Sequence, residues 1–369
     1  MIKIPSHINT LAAYQPGASQ ITLSEGQRWE DIIMLASNEN PLGVPASAEE
    51  AASEVMKKVN LYPDARGALL KEALAAQLAI NPTQIHLGNG SDSILLRLMR
   101  AMCEGKEEVL TSQHTFAATS VQAHIQDVPI RYVPMQEGYT FDLEAILDQI
   151  QGHTKMIYLC NPNNPTGSML PEKEVMAFLE KVPEQVLVIM DEAYYEFATF
   201  LSDEFPVYHT YARPNVLTLR TFSKAYGLAG LRIGYAIGDP AIISVLDKVS
   251  LPFEPNAVAQ AAALAVLGDH TFKHRTVSLN KEVLTQYYQI LSEIDIPYVS
   301  SFGNFVMLTL PNTATRNALF THLLAQNILV RKLASLENCL RIGTGTLAQT
   351  TLLTAALKAF SLAEKASSM

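Results

Sequence analysis

Four short polar clusters each follow a strand-like stretch and contain residue types that can bind an anion or perform covalent chemistry. They are Gly88-Asn89-Gly90-Ser91-Asp92, Asn161-Pro162-Asn163-Asn164-Pro165-Thr166-Gly167, Asp191-Glu192-Ala193-Tyr194 and Thr221-Phe222-Ser223-Lys224. Glycines before a helix leave backbone N–H groups that can bind a phosphate. A lysine amine can form a Schiff base with a carbonyl. Several such clusters at strand ends indicate a cofactor site.

Each cluster taken alone also has an ordinary structural explanation. The glycines before Ser91 are equally consistent with a simple tight turn, followed by a helix with Ser91 as its N-cap. Asp191 could cap a helix or accept a local hydrogen bond, and 161–167 could be a loop of stacked turns. Most lysines are solvated, so Lys224 by itself indicates little. Only the combination of the four clusters indicates a cofactor site.

The elements between the clusters must position them. Strands are predicted at 85–87, 108–111, 130–133, 156–160, 186–190, 216–219 and 231–237, with helices at 91–102, 115–124, 143–150 and 172–181. Strands separated by helices predict βαβ units and a mostly parallel sheet. In an open sheet of this kind, ligands bind beyond the carboxyl ends of the strands. The four clusters are therefore expected to meet there.

The pattern changes near Asp269. A long helix is predicted at 271–293, further helices at 315–326 and 347–360, and strands at 305–310, 328–332 and 340–343. This order predicts a smaller α+β domain. We therefore expect a large domain over 41–268, and a small domain formed by 1–40 together with 269–369.

Composition excludes several classes of function. The 369 residues are 48% hydrophobic and 17% charged, which favours a large core over disorder. The net charge of −9 argues against a nucleic-acid partner. Cys103, Cys160 and Cys339 show no disulfide or metal-ligand spacing, so we expect reduced thiols, no metal and a cytoplasmic protein. The apolar runs are too short to cross a membrane.

Taken together, the motifs resemble those of the fold-type I pyridoxal 5′-phosphate (PLP) aminotransferases, the aspartate aminotransferase superfamily. The matching segments are SKAYGLAGLRIGY at 223–235, NPTG at 164–167 and DEAY at 191–194. The resemblance covers nearly the whole chain. It implies an α/β fold whose large domain has a mostly parallel mixed sheet flanked by helices, a smaller α+β domain, and PLP as cofactor.

The resemblance implies a role for each motif residue. Lys224 is expected to hold PLP as a Schiff base, and then to act as general base and acid. Asp191 is expected to hold the proton of the pyridine nitrogen. Asn164 and Tyr194 match the family positions that donate to the anionic 3-oxygen of the ring.

The 5′-phosphate needs cationic and N–H donors. Ser223 and Arg232 match the family positions for this role. Ser91 and Asp92 offer backbone N–H groups at a helix start. Thr221 could add a hydroxyl group.

Two aromatic residues complete the expected cofactor site. Phe116 occupies the place where the family stacks a ring on the cofactor, although many relatives have tyrosine there; an ordinary core aromatic is equally consistent. Tyr62 matches a tyrosine that reaches the cofactor phosphate of the neighbouring subunit, which implies a homodimer with shared active sites. A turn tyrosine before Pro63 is the alternative explanation.

Further segments resemble the histidinol-phosphate aminotransferase subgroup. They are LAAYQPG at 11–17, LASNENPLG at 35–43, YPD at 62–64, LGNGSD at 87–92, VR at 330–331 and CLRI at 339–342. The resemblance implies transfer of the amino group of glutamate to imidazole-acetol phosphate, which gives histidinol phosphate and 2-oxoglutarate, a step of histidine biosynthesis.

Arginine suits these substrates because a planar guanidinium pairs with carboxylate or phosphate. Arg341 is the first candidate for the substrate anion and Arg331 the second, although Arg331 could equally be a surface residue. Tyr14 and Asn38 are expected to line the substrate pocket.

Three alternatives share these motifs. One is an aminotransferase for aromatic or other L-amino acids, and another is a PLP-dependent decarboxylase of an amino-acid phosphate, such as threonine phosphate. The third is a PLP-binding regulatory domain without turnover. This last alternative is disfavoured because the chain shows neither a basic patch nor an added DNA-binding segment.

Overall fold

A computed structural model describes residues 2–11 and 28–367. The strands are β1 (Ile33–Met34), β2 (Ile85–Gly88), β3 (Glu108–Ser112), β4 (Ile130–Val133), β5 (Thr154–Cys160), β6 (Leu187–Asp191), β7 (Val216–Thr221), β8 (Gly234–Ile237), β9 (Tyr298–Val299), β10 (Phe305–Thr309), β11 (Ile328–Leu329), β12 (Arg331–Lys332) and β13 (Cys339–Gly343). The helices are α1 (Ser6–Asn9), α2 (Ala46–Met56), α3 (Ala68–Leu78), α4 (Ser91–Met102), α5 (Ala117–Ile125), α6 (Leu143–Asp148), α7 (Glu172–Lys181), α8 (Tyr195–Leu201), α9 (Tyr208–Tyr211), α10 (Pro240–Val249), α11 (Ala257–Leu267), α12 (His270–Glu293), α13 (Thr313–Ala325) and α14 (Leu347–Ser367).

A seven-stranded sheet forms the centre of the larger part, in the order β2-β8-β7-β6-β5-β3-β4. The strands from β7 to β4 pair in parallel, whereas β8 runs antiparallel to both of its neighbours. Every residue of β3, β6 and β7 is buried. Strands that are buried along their whole length are typical of a sheet covered by helices on both faces. The predicted fold class, a mostly parallel mixed sheet flanked by helices, is confirmed.

The strand register brings the polar clusters to one edge of this sheet. Cys160, the last residue of β5, lies opposite Asp191, the last residue of β6. Asp191 in turn lies opposite Leu219 of β7, two residues before that strand ends at Thr221. The segments that follow these strands therefore emerge side by side.

A second sheet is antiparallel throughout, in the order β12-β13-β10-β9. The short strand β1 pairs in parallel with β11, so residues from the start of the chain join the C-terminal part. Ile32, Leu35 and Ala36 pack in the same hydrophobic core as Leu308 and Leu340. A separate, larger core surrounds the seven-stranded sheet. On these two cores we propose the domain division at 41–268 given above.

Several element boundaries differ from the sequence prediction, and two left-handed backbone conformations explain the main differences. Ser91 does not cap α4: it is the first helical residue, and Gly90 is the N-cap with φ 78°. Glycine suits this position because φ 78° strains a residue with a side chain, and a Cβ atom there would also lie 2.7 Å from Nη2 of Arg232. Arg232 itself has φ 53°, which delays β8 until Gly234, although a strand from 231 was predicted.

Other predicted boundaries were also inaccurate. The helix predicted from 115 begins at Ala117, because Phe116 is its N-cap and has a non-helical backbone with ψ 116°. The strand predicted at 328–332 is two short strands in different sheets. Within the described part of the chain, no helix is both long and apolar enough to cross a membrane.

Candidate active site

One pocket lies where the polar clusters meet, beyond the carboxyl ends of β5, β6 and β7. Its lining residues are Ser91, Asp92, Phe116, Cys160, Asn164, Asp191, Ala193, Tyr194, Thr221, Ser223, Lys224, Ala229 and Arg232. The structure thus brings together every residue predicted to bind the cofactor except Tyr62. The pocket also includes Cys160, Ala193 and Ala229, which were not predicted.

Asp191 is a buried carboxylate at the floor of the pocket. The Tyr158 hydroxyl donates a hydrogen bond of 2.6 Å to its Oδ2 atom, and the backbone N–H of Ala193 donates one of 3.2 Å to Oδ1. Burial raises the pKa of Asp191 to about 6, against the opposing effect of the hydrogen bond from Tyr158. The carboxyl group is therefore largely ionised at pH 7 and can stabilise a cationic N–H group.

Lys224 follows β7 and presents its amine to the same pocket. Its Nζ atom donates a hydrogen bond of 3.1 Å to the carbonyl of Ser37. Burial, reinforced by the Arg341 guanidinium, lowers the pKa of Lys224 to about 8. A larger fraction of the amine is therefore neutral and nucleophilic at pH 7 than for a solvated lysine.

A network of side chains fixes which atoms of Asn164 and Tyr194 remain available. Nη1 of Arg341 donates to Oδ1 of Asn164 at 2.5 Å, so the Asn164 amide NH₂ is the group left to act as a donor. Nδ2 of Asn38 donates to the Tyr194 hydroxyl oxygen at 2.9 Å, which leaves the Tyr194 O–H free to donate elsewhere. The network therefore presents two donors suited to an anionic oxygen.

The start of α4 and Arg232 form a cup suited to an anion. Ser91 and Asp92 lie in the first turn of α4, where backbone N–H groups point out of the helix. Arg232 lies beside them, with Nη2 3.7 Å from an oxygen of Asp92 and Nη1 3.5 Å from Oγ of Ser223. Thr221 and Ser223 are joined by a hydroxyl hydrogen bond of 2.9 Å. Burial raises the pKa of Asp92, although Arg232 opposes this shift.

The pocket thus combines an anion cup, an amine of lowered pKa and a buried carboxylate. A planar ligand with a phosphate, a carbonyl and a basic ring nitrogen complements these three features.

Comparison with known proteins identifies the family of this chain. Residues 30–357 match the family described as aminotransferase class I and II. The chain belongs to this family. A histidinol-phosphate aminotransferase of Bacillus licheniformis is 38% identical over 350 residues, which cover 94% of this chain and 96% of that protein. Histidinol-phosphate aminotransferase 2 of Ralstonia nicotianae is 40% identical over 347 residues, 92% of both chains.

A solved structure has the same fold over almost the full length. It is histidinol-phosphate aminotransferase from Sinorhizobium meliloti in complex with pyridoxal-5′-phosphate, with a TM-score of 0.89, 29% identity and 98% of both chains covered.

Four of the predicted residues, Arg341 among them, do not line the pocket of this aminotransferase, and a fifth cannot be placed. Tyr62 is 80% exposed and stacks on the ring of Phe253, with 4.2 Å between ring centroids. Arg331 lies on β12 directly across from Arg341 on β13. Asn38 is buried behind the pocket, where it bonds Tyr194. Tyr14 lies outside the described residues.

Arg341, the first candidate for the substrate anion, is held at the pocket edge. Only 8% of the residue is exposed, and its Nη2 atom donates a hydrogen bond of 2.7 Å to the carbonyl of Ala36. This contact joins β13 to the segment before residue 41. Among the described residues, no group of histidine, cysteine and carboxylate side chains could hold a metal ion.

Sequence reasoning missed Tyr158 as a site residue. It lies inside the apolar strand β5 and is fully buried, which is ordinary for a core aromatic. Its position two residues before the end of a parallel strand was the available signal, because it lies close to the strand end where Asp191 was expected.

Proposed function

We propose that this aminotransferase is a PLP enzyme that transfers the amino group of L-glutamate to imidazole-acetol phosphate, giving histidinol phosphate and 2-oxoglutarate. This would make it an enzyme of histidine biosynthesis. The observation that carries the proposal is the buried pocket that combines Lys224, Asp191 and the nearby Arg341. Curated relatives with this activity in their name support it at 38–40% identity over most of the chain.

The pocket fits PLP group by group. Asp191 would bind the protonated ring nitrogen, and the Asn164 amide and the Tyr194 hydroxyl would donate to the 3-oxygen. Arg232 and the first turn of α4 would hold the phosphate, together with the hydroxyl groups of Ser223 and Thr221. The half-buried ring of Phe116 lies in the wall of the same pocket. When bound, PLP withdraws electrons from the α-carbon of an amino acid, which acidifies the proton there.

Lys224 supplies both the attachment point and the proton transfer. Its amine would hold PLP covalently before substrate arrives. Once freed by the substrate amine, Nζ would take the proton from the substrate α-carbon as general base and give it back as general acid. A pKa of about 8 suits both directions, because the group can accept and release a proton near neutral pH.

Arg341 would bind the substrate anion, and Arg331, Asn38 and Tyr14 would complete the substrate pocket. The guanidinium of Arg341 already makes fixed hydrogen bonds to Asn164 and to the backbone of Ala36. It is therefore preorganised, so little side-chain entropy is lost when a carboxylate or phosphate binds.

We also propose that the enzyme is a homodimer that acts in the cytoplasm. Tyr62 and its stacking partner Phe253 lie beside other exposed apolar side chains, Leu61 and Leu251, each more than 60% exposed. A second copy that covers this surface would place Tyr62 against the partner, where it could reach the phosphate of the partner's PLP. All three cysteines are free thiols, which fits a reducing compartment.

A panel of half-reactions tests the proposed substrate. The PLP form would be mixed in turn with histidinol phosphate, glutamate, aromatic amino acids and phosphothreonine, and the absorbance change followed by stopped flow. The proposal predicts the fastest conversion with histidinol phosphate and glutamate. Faster conversion of an aromatic amino acid, or release of carbon dioxide from phosphothreonine, would contradict it.

A further inference from the structure

Tyr158 makes a close contact with the carboxylate proposed to bind the PLP ring nitrogen. It lies in the middle of β5 and is fully buried, and its hydroxyl donates a hydrogen bond of 2.6 Å to Oδ2 of Asp191. The backbone of Tyr158 is itself held by β3, because Oγ1 of Thr111 donates a hydrogen bond of 2.7 Å to its carbonyl. The hydroxyl is therefore fixed in place from the sheet side.

We propose that Tyr158 is a positioning residue of the active site, whose hydroxyl keeps Asp191 ionised and orients it towards the cofactor ring nitrogen. This inference rests on the proposed function, because it concerns the role of Asp191 in binding PLP. Tyr158 does not line the pocket in which the cofactor is proposed to bind.

The electrostatic surroundings of Asp191 show why a donor is needed. The titratable groups that influence it are Asp92 from α4, Tyr158 and Cys160 from β5, and Glu192 and Tyr194 just after β6. None of these groups is cationic, and Asp92 and Glu192 raise the pKa of Asp191 further beyond the effect of burial. The hydrogen bond from Tyr158 is the largest influence that lowers it.

The buried surroundings also explain why a tyrosine hydroxyl is a suitable donor to Asp191. Burial raises the pKa of the Tyr158 hydroxyl well above its usual value, so the group remains a donor at every working pH. A hydroxyl has a single hydrogen, which is given to Oδ2. The carboxylate therefore keeps acceptor capacity for a ring N–H. Without this donor, Asp191 would hold a proton at higher pH and could no longer stabilise a protonated ring nitrogen.

The test compares PLP with its carbocyclic analogue, in which a carbon replaces the ring nitrogen. Affinities of both compounds for the apoenzyme would be measured by fluorescence from pH 5 to 9. For the wild type, the preference for PLP is expected to appear as Asp191 ionises near pH 6. In Tyr158→Phe, loss of one hydrogen bond to a charged group is expected to move this midpoint up by about one to two pH units, which lowers the ionised fraction of Asp191, and with it the preference, about two- to tenfold at pH 7.

Tyr211→Phe is the matched control. Tyr211 is also a fully buried tyrosine, and its hydroxyl donates a hydrogen bond of 2.5 Å to the buried carboxylate of Glu192. Glu192 does not line the pocket. Substitution of Tyr211 is expected to leave the midpoint at the wild-type value, because the ion pair with Arg220 keeps Glu192 charged and so preserves its effect on Asp191. In an Asp191→Asn background, Tyr158→Phe is expected to add no further change, because the group on which it acts is gone.

A second variant can be measured in the same way if Tyr158→Phe fails to fold. Fluorotyrosine incorporated at position 158 keeps the shape and has a more acidic hydroxyl, so it strengthens the hydrogen bond and is expected to lower the midpoint. An unchanged midpoint in whichever Tyr158 variant folds, with discrimination lost in Asp191→Asn, would overturn this inference alone. Wild-type discrimination in Asp191→Asn would instead overturn the proposed role of Asp191.

Discussion

Replacing Arg341 by lysine keeps the positive charge but removes the planar arrangement of its donors. In the structure, Nη1 reaches Asn164 at 2.5 Å and Nη2 reaches the carbonyl of Ala36 at 2.7 Å. A single ammonium group at the end of a different side chain cannot keep both contacts and also pair with a substrate carboxylate. At least one hydrogen bond from a charged donor is lost, which costs about 1.5–3 kcal/mol. We therefore expect kcat/KM for glutamate to fall about 10- to 150-fold.

The assay is the pre-steady-state half-reaction with glutamate, followed by the absorbance of the cofactor, with PLP content measured in the same samples. Arg97→Lys is a suitable control, because Arg97 is 7% exposed, is ion-paired with Glu254 and lies outside the pocket. This control is expected to keep the wild-type kcat/KM even if its stability falls. A wild-type kcat/KM in Arg341→Lys would refute the role given to the guanidinium.

Three further predictions concern pH, stability and assembly. The pKa of Lys224 is about 8 in the folded apoprotein and 10.5 in a free lysine, so between pH 8 and 10.5 the unfolded chain binds more protons and the free energy of unfolding rises with pH. Urea denaturation of Lys224→Met should show a smaller rise over this range. An equal rise in the variant would contradict the lowered pKa of Lys224. Tyr211→Phe should lower the free energy of unfolding by about 1–3 kcal/mol, because Oε1 of Glu192 loses its buried donor; unchanged urea denaturation would show that the bond contributes nothing. When Lys224→Ala and Tyr62→Ala subunits are mixed and reassembled, the heterodimer should recover activity that neither variant has alone. One of its two sites then has both Lys224 and Tyr62, each from a different subunit. No recovery would exclude shared sites.

The sequence predicted the pocket better than it predicted the contacts within it. Local motifs were sufficient for Asn164, Asp191 and Lys224, because parallel strands necessarily bring their carboxyl ends to one edge. The bond between Asn164 and Arg341 joins residues 177 positions apart, and no local pattern encodes it. The orientation of Asn38 towards Tyr194 is likewise a product of tertiary packing.

Some elements were also beyond the reach of periodicity. Helix α11 has the sequence AVAQAAALAVL, which is apolar on all sides and carries no amphipathic pattern. It was not predicted, and neither were α2, α3 and α10. The left-handed backbone of Arg232 is unusual for a residue with a side chain, so the late start of β8 could only be seen in the structure.

Covalent labelling can identify the lysine that holds PLP. Borohydride reduction of the PLP-loaded enzyme, followed by proteolysis and mass spectrometry, locates the residue bonded to the cofactor. We expect a pyridoxyl-phosphate group on Lys224 and no labelled peptide from Lys224→Ala. A label on another lysine in the wild-type enzyme would contradict it.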